Sequence, residues 1–312
     1  MKLYFATDVH GSEMCWKKFI SGGKFYGVEV LILGGDMTGK AIVPIIALGK
    51  DQYKVTLLEQ ESILSGHEEL DKMINMIQNR GYYPYVTTAD EVAEISGTPG
   101  KSDELFARQA ILTVQRWMEY ADQKLVGTGI RCYVCPGNDD IPEIDPVIAA
   151  SKFVQLAEGK VMSISDQHEM VSSGWSNPTP WNTHREEPEE ALRLRMEAII
   201  TKVGDMQNAI FSLHAPPYGS GLDDAPELSK DMRLMYAGQS LVPVGSHAVM
   251  AVIEKYQPLL GLHGHIHEGK GTRKIKRTLC LNPGSMYEQG VLLGAVVDLK
   301  PKKINSYVLT QG

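Results

Sequence analysis

The chain reads as an α/β protein, and three observations carry that reading. Short apolar runs of strand length recur: Lys2 to Thr7, Val30 to Leu33, Ile130 to Cys135, Ala209 to Leu213 and Pro258 to Leu262. Stretches with helical spacing of apolar residues lie between several of them. Each run gives way at its end to Asp, Asn or His, usually beside glycine.

The first run leads into Asp8-Val9-His10-Gly11. Asp8 and His10 are two apart at a strand tip, so both can face one point. Ser12 is placed to cap a helix running to about Ile20. Val30 to Leu33 ends in Gly34-Gly35-Asp36. Glycine there lets the backbone turn sharply and brings the carboxylate to the strand's end. Strand, helix and strand in this order make a parallel unit.

A long excursion follows. Ala41 to Leu48, Gly49-Lys50-Asp51 and Tyr53 to Leu58 read as a hairpin. His67 to Arg80 has helical periodicity, with Leu70, Met73, Ile74 and Ile77 on one side. Tyr82 to Pro99 fits no single period. Lys101 to Val126 is expected to be the longest helix, with Asp103 and Glu104 at the end where the helix dipole favours negative charge. No composition break marks a second domain. Residues 1–312 are therefore expected to form one domain, with an insertion or cap at about 40–128.

Ile130 to Cys135 ends in Pro136-Gly137-Asn138-Asp139-Asp140. Val161 to Ile164 is a further strand. Asp166 to Pro188, rich in Ser, Asn, Pro and Trp, is expected to be a long loop, and such loops often act as lids or binding segments. Trp175, Trp181 and His184 are its candidates to touch a ligand, with anchoring of the loop as their alternative role. Glu187 to Val203 is a helix, and Ala209 to Leu213 is a strand ending in His214-Ala215-Pro216-Pro217. Ser246 to Tyr256 is a helix with Ser246 or Gly245 as its N-cap. The run from Pro258 closes on Leu262-His263-Gly264-His265-Ile266-His267. With it, Thr278 to Leu281, Val291 to Leu299 and Ile304 to Leu309 are expected to be antiparallel strands completing a second sheet. Lys270, Arg273, Lys274, Lys276 and Arg277 suit the solvated face of a hairpin.

Composition bounds the function. The chain is 43% hydrophobic and 22% charged, with a net charge of −7. That charge argues against constitutive nucleic-acid binding. No uninterrupted apolar run reaches about 18 residues, so no membrane span is expected. No basic segment with a long apolar stretch opens the chain, and a cytoplasmic location is the expectation. Of four cysteines, Cys132 and Cys135 are three apart on a strand and should face opposite sides. They are expected to be core residues and not a redox or zinc pair.

Seven residues end five of the runs: Asp8, His10, Asp36, Asn138, His214, His265 and His267. In open α/β sheets the ligand site lies beyond the carboxyl ends of the strands. Two carboxylates, four imidazoles and an amide oxygen are too many donors for one ion. They suit two ions with one carboxylate bridging, and metal pairs about 3.5–4 Å apart serve phosphatases and nucleases. A mixed N/O donor set accepts Mn, Fe, Zn, Co or Ni.

Taken in order, Asp8-Val9-His10, Gly35-Asp36, Gly137-Asn138-Asp139-Asp140, His214 and Gly264-His265-Ile266-His267 resemble the signature of the calcineurin-like metallophosphoesterase family. The resemblance covers about residues 1–40 and 130–310. It implies a four-layer α/β/β/α sandwich of two mixed β-sheets flanked by helices, with the metal site at the strand ends. It further implies Asp8, His10 and His267 on one metal ion, Asn138, His214 and His265 on the other, and Asp36 bridging. A hydroxide held between the ions would attack phosphorus. His263 matches no ligand position and is expected to support its neighbours.

The expected activity is that of a dinuclear-metal phosphoester hydrolase, a phosphodiesterase first, acting on a small and possibly nucleotide-like ester. A phosphomonoesterase or nucleotide phosphatase is the second reading, and a non-catalytic scaffold the third. Many family members carry a histidine after Gly-Asn that protonates the leaving oxygen; here that position is Asp139. Asp140 matches the acidic residue that normally orients the histidine. Asp139, Asp140 and His214 are thus the candidates for roles in the reaction. Nearby cations would keep Asp139 ionised and a poor acid. His168, His184 and His247 are the alternative proton donors.

Overall fold

The apolar runs assemble into two six-stranded mixed sheets that pack face to face. The computed structural model describes residues 1–312 apart from 230, 232, 234 and 236–239. In chain order the first half is β1 (Lys2–Ala6), α1 (Glu13–Phe25), β2 (Val30–Leu33), β3 (Ile42–Gly49), β4 (Gln52–Leu57), β5 (Gln60–Ser65), α2 (Gly66–Asn79), β6 (Tyr83–Thr87), α3 (Ala89–Gly97), α4 (Lys101–Leu125), β7 (Arg131–Val134), α5 (Asp145–Ala149) and β8 (Val154–Leu156). Then come β9 (Lys160–Ser163), β10 (Glu169–Ser173), α6 (Glu189–Ile200), β11 (Ile210–Leu213), β12 (Asp224–Pro226), β13 (Leu241–Pro243), α7 (His247–Tyr256), β14 (Leu260–Leu262), β15 (Gly271–Ile275), β16 (Thr278–Asn282), β17 (Leu293–Lys300) and β18 (Lys303–Gln311).

One sheet has the order β18-β17-β1-β2-β7-β8, the other β15-β16-β14-β11-β10-β9. The alternation of side chains along each strand sorts the core into layers. Leu3, Phe5, Val30, Ile32 and Tyr133 meet Met170, Ile210, Leu260, Leu262 and Leu281 between the sheets. Tyr4, Leu31, Leu33, Cys132 and Val134 face α1, α4 and α5. Val171, Phe211 and Cys280 face α6 and α7. The result is the α/β/β/α sandwich. Cys132 and Cys135 lie on opposite faces of their sheet, and all four thiols are free and buried.

Helix boundaries follow local chemistry. The Ser12 hydroxyl accepts from Cys15 N–H at the start of α1, and Ser246 Oγ accepts from Val249 N–H at the start of α7. The Glu189 carboxylate, from α6, accepts from the Ser246 hydroxyl and from the His247 and Ala248 N–H groups, tying the two helices together. The backbone N–H groups so bonded are donors that a helix terminus leaves open.

The segment between β2 and β7 divides by its packing. β5-β4-β3-β6 form a four-stranded sheet, and with α2 they enclose a separate core of Val43, Ile45, Val55, Leu64, Leu70 and Ile77. α4 instead joins the main core through Ala110, Val114, Trp117, Met118, Ala121 and Leu125. It serves as a crossover of the parallel β2–β7 pair. The stretch from Tyr82 to Pro99, which fitted no single period, contains β6 followed by α3.

Two expectations need correction. Asp166 to Pro188 is not all loop: β10 pairs in parallel with β11 inside the second sheet. Its sequence, Glu-Met-Val-Ser-Ser, is buried on both faces from Met170 on, so two core serines hide the strand signal. The C-terminal runs also do not complete the second sheet together. β14 and β16 pair in parallel there, whereas β17 pairs antiparallel with β1 and β18 with β17 in the first sheet. The basic cluster lies on and around β15, whose Thr272, Arg273 and Lys274 are exposed. No helix among the described residues is long and apolar enough to cross a membrane.

α1 and α4 are locked by two indoles. Trp16 and Trp117 stack with centroids 4.9 Å apart and planes 4° from parallel. Trp16 Nε1–H donates to the Trp117 carbonyl, and Trp117 Nε1–H donates to the Glu13 carboxylate. Trp117→Ala is expected to destabilise the fold by about 3–5 kcal/mol. Trp181→Ala, at a side chain 65% exposed, should cost less than about 0.5 kcal/mol. Urea unfolding of both variants checks this; equal midpoints would refute the assignment of α4 to the main core.

Candidate metal centre

Five loops meet where the strands of both sheets end. Asp8 N–H donates to Gly35 O (3.0 Å) and His10 N–H to Asp36 O (3.0 Å), so the loops after β1 and β2 are zipped together. His265 N–H donates to both carboxylate oxygens of Asp8, at 3.1 and 3.0 Å, joining the loop after β14 to the first sheet. Ser285, beyond β16, donates its hydroxyl to Asp8 O at 2.6 Å. The cost of this convergence shows in the backbone: Asp8, His10, Asp36 and His265 all have positive φ, between 38° and 66°. Such a cluster of left-handed non-glycine residues is uncommon and concentrates at functional sites.

Close approach also fixes two glycines. A Cβ on Gly35, at φ 135°, would lie 2.0 Å from His214 Nδ1. A Cβ on Gly264 would lie 2.4 Å from Asp8 Oδ2. Any side chain at either position would push a donor out of the cluster.

The donor atoms form two adjoining groups. Asp8, His10 and His267 are one; Asp36, His214 and His265 are the other, each with one atom per residue within 4.8 Å of the rest, and by the same measure Asp139 stands with His10 and Asp36. His10 Nε2 lies 3.1 Å from His267 Nε2 and 3.6 Å from Asp36 Oδ2. His267 Nε2 lies 3.5 Å from Asp8 Oδ1, and His214 Nε2 lies 3.3 Å from Asp36 Oδ2. Two donors each about 2.1 Å from one ion at near-tetrahedral angles stand roughly 3.4 Å apart, so these separations match shared coordination. Asp36 faces both groups.

Two buried atoms are left without hydrogen-bond partners in a way that suits this. His214 Nδ1–H donates to Gly34 O at 2.9 Å, which aims Nε2 into the site, 3.3 Å from Asp36 Oδ2, and Nε2 is buried with no hydrogen-bond partner. Asn138 Nδ2–H donates to Thr183 Oγ1 at 2.7 Å, and its buried Oδ1 has no partner. A buried acceptor without a donor is costly; a cation is what each of these atoms can serve. The group fits the residues present.

The support beneath Asn138 comes from the 176–187 loop. The Glu186 carboxylate accepts from Thr179 and Thr183, through both backbone and hydroxyl, and so presents Thr183 Oγ1 to Asn138. Arg185 N–H donates to Asn138 O, while its guanidinium binds Asp140 O and the Asp145 carboxylate. Asp140 itself turns away from the donor groups. Its oxygens accept from Met37 N–H, Thr38 N–H, the Thr38 hydroxyl and Gly137 N–H. It thereby pins the loop after β2 to the loop after β7.

Burial sets the electrostatics. It opposes charge on Asp8 and Asp36, but His214 outweighs it, helped by His267 at Asp8 and by His10 at Asp36, and holds both carboxyls well below the usual range. Burial likewise opposes charge on His214, but the carboxylates of Asp36 and Asp8 raise its pKa to about 9. Burial lowers His265 to about 4, with the charge on His214 pushing the same way. Burial also lowers His263 to about 4. His263 Nδ1–H donates to Leu213 O at 2.8 Å, so it braces the end of β11 from behind.

Of the other sequence candidates, His184 lies between Thr183 and Arg185, both hydrogen-bonded to Asn138. His168 is bonded to Ser165 before β10, at the end of that strand away from His214. His184 is exposed, and exposed His247 stacks on Tyr218. Trp175 stacks under the Arg195 guanidinium at 3.8 Å as a loop anchor. Four residues that the sequence did not single out belong to the centre. Lys40 is ion-paired with Asp139. Thr183 supports Asn138. Asn282 Nδ2–H donates to the carbonyls around His265. Tyr287 packs on the His10 ring at 4.7 Å between centroids. Lys40, four residues after Asp36, carried the one available signal, a cation beside a strand-end carboxylate.

No family model matches the chain. An uncharacterized protein from Methanocaldococcus jannaschii is 31% identical over 150 residues, 47% of this chain and 61% of that protein. The match therefore spans less than two thirds of that relative's length. One solved structure aligns over 99% of this chain and 98% of its own, with a TM-score of 0.55 at 14% identity. A protein of Thermus thermophilus aligns over 100% and 97%, with a TM-score of 0.53 at 14% identity. These are likenesses of fold.

The pKa shifts set the pH dependence of the metal-free protein. The folded state keeps a proton on His214 that the unfolded chain releases at 6.5, so this stabilisation is complete below 6.5 and lost as pH rises through about 9. His267 shifts in the same sense. His263 and His265 act oppositely: their contribution is present above 6.5 and lost as pH falls through about 4. Without metal, the melting temperature is expected to peak around pH 6.5 and to fall on both sides. Thermal melts in chelator check this; a steady rise from pH 6.5 to 9 would contradict it.

Proposed function

We propose that the chain is a dinuclear-metal phosphoester hydrolase of the calcineurin-like metallophosphoesterase type, acting first on phosphodiesters. The observation that carries this reading is the pair of donor groups adjoining through Asp36, with Asn138 Oδ1 and His214 Nε2 buried and without partners beside them. On this reading Asp8, His10 and His267 would hold one ion and Asn138, His214 and His265 the other, with Asp36 shared between them. Four imidazoles among oxygen donors suit Mn, Fe, Zn, Co or Ni over the all-oxygen shells that calcium and magnesium prefer. Such ions supply an activated water near neutral pH and neutralise charge on the phosphoryl oxygens.

The chain's own residues do the rest. The Gly34 carbonyl fixes the His214 tautomer, and Thr183 fixes the face that Asn138 turns to the site. Asp8 and Asp36, both ionised, supply the negative charge that binds cations. Asp139, its side chain 20% exposed, holds the position that the resemblance gives to the leaving-group acid. Its pKa is raised by burial and by Asp36, while Lys40 pulls the other way. His10 Nδ1 lies 3.9 Å from Asp139 Oδ2, but on this reading its ring would be taken up by a metal ion.

Asp36→Asn is expected to bring bound metal below one ion per chain and to slow hydrolysis by more than about 10²-fold, beyond the usual effect of an outer-shell change. Metal analysis on protein purified without chelator tests this. Full metal content in the variant would defeat the bridging role.

A second expectation concerns the leaving group. General-acid assistance is worth about 10²–10⁴-fold. Bis(4-nitrophenyl) phosphate should therefore be cleaved at least about 10²-fold faster than an alkyl monoester. Asp139→His should raise the alkyl rate more than the aryl rate at matched metal content. Equal rates on both ester types in the original protein would mean that another residue delivers the proton.

A further inference from the structure

Among the described residues, Lys40 is the one Lys or Arg whose ion pair reaches an acidic residue of the metal-capable groups. Its backbone has little freedom. The preceding Thr38 is held by Asp140 through both N–H and hydroxyl, at 2.8 and 2.7 Å. Gly39 N–H donates to the Tyr83 hydroxyl at 2.7 Å, and Lys40 N–H donates to Gly81 O. Gly81 in turn packs against the His10 carbonyl. The stem of Lys40 is thus anchored by β7's loop, by the four-stranded sheet and by the loop of His10 together.

Its ammonium is placed differently from the donors it overlooks. Asp8 and Asp36 are 2% and 3% exposed, whereas the Lys40 side chain is 40% exposed. Nζ is paired with Asp139 Oδ2, an atom that also lies 3.9 Å from His10 Nδ1. Asp139 N–H donates to Asp36 Oδ1 at 3.0 Å. Lys40 therefore stands nearer solvent than Asp8 and Asp36, and it shares the rim with His267, whose side chain is 30% exposed. Asp36, Asp139 and Asp8 outweigh the effect of burial and keep the ammonium charged.

We propose that Lys40 is a substrate-contact residue whose ammonium, held at the rim by Asp139, donates to a phosphoryl oxygen of the bound ester. This rests on the phosphoester reading above and adds to it a protein cation. An ammonium has three donors, so it keeps Asp139 while reaching a phosphoryl oxygen. Charge accumulating on the oxygens during phosphoryl transfer is what a preplaced cation stabilises. Tyr83 and Gly81 make the four-stranded sheet part of this arrangement, since they hold the lysine's stem.

The test is binding of inorganic phosphate to the manganese-loaded full chain, measured by calorimetry with no free metal. A charge-assisted hydrogen bond to an anion is worth about 1.5–3 kcal/mol. Lys40→Met should therefore raise Kd at least about tenfold, equal to about 1.4 kcal/mol, with manganese content unchanged. Lys40→Arg should recover binding to within about threefold of the original, since it restores the charge at similar reach. Phosphate binding by Lys40→Met within about twofold of the original at equal manganese content would overturn the proposal. Loss of manganese from Lys40→Met would overturn it too, because the lysine would then serve the metal groups. No phosphate binding by the original manganese-loaded protein would bring down the phosphoester reading and this inference together.

Discussion

Two buried carboxylates constrain everything around them. Asp8 and Asp36 are almost wholly removed from water and stand within reach of the same imidazoles. Removing a carboxylate from water costs several kcal/mol unless partners replace its hydration. The fold supplies those partners from five loops. The His265 amide and the Thr7 hydroxyl bind Asp8, and the Asp139 amide binds Asp36. In the metal-free state the protons on His214 and His267 balance the charge. Cations at the same place would displace those protons, so metal binding and the histidine titrations compete for one site.

That demand explains why the centre sits where two sheets end. Only there do loops from β1, β2, β7, β11 and β14 approach one another, and only loops adopt the left-handed backbone that Asp8, His10, Asp36 and His265 require. The strain is held by surrounding structure: Ser285 grips the Asp8 carbonyl, Asn282 the turn at His265, and Asp140 the turn after Asp36. Asp139 and Asp140 show how finely position divides function. They are adjacent and chemically alike. One faces the rim with Lys40; the other is consumed by backbone N–H groups.

The outer segments contribute by contact with these loops. The four-stranded sheet reaches the centre through Tyr83 and Gly81, and the 176–187 loop through Thr183 and Arg185. Neither presents a donor to the two groups of imidazoles and carboxylates. Both hold in place residues that do, or that stand beside them. Variation in these segments can therefore reshape the rim while the inner donors stay fixed by the sandwich.

What the sequence determined by itself was which residues end the apolar runs, and the α/β class. Both follow from local rules: apolar runs of strand length, period-two alternation, and Asp, Asn or His wherever a run stops. The hairpin of β3 and β4 and the helices α2 and α4 were legible for the same reason. What only tertiary structure decided were pairings between distant segments. β10 was hidden because core serines look like loop residues until a neighbouring strand accepts them. β17 and β18 joined the first sheet because β1 had a free edge, which no local pattern records. Lys40 meets Asp139 across 99 residues and Thr183 meets Asn138 across 45. Those contacts depend on loop closure and packing, and the backbone strain at four donor residues is stable only once the rest of the fold holds it.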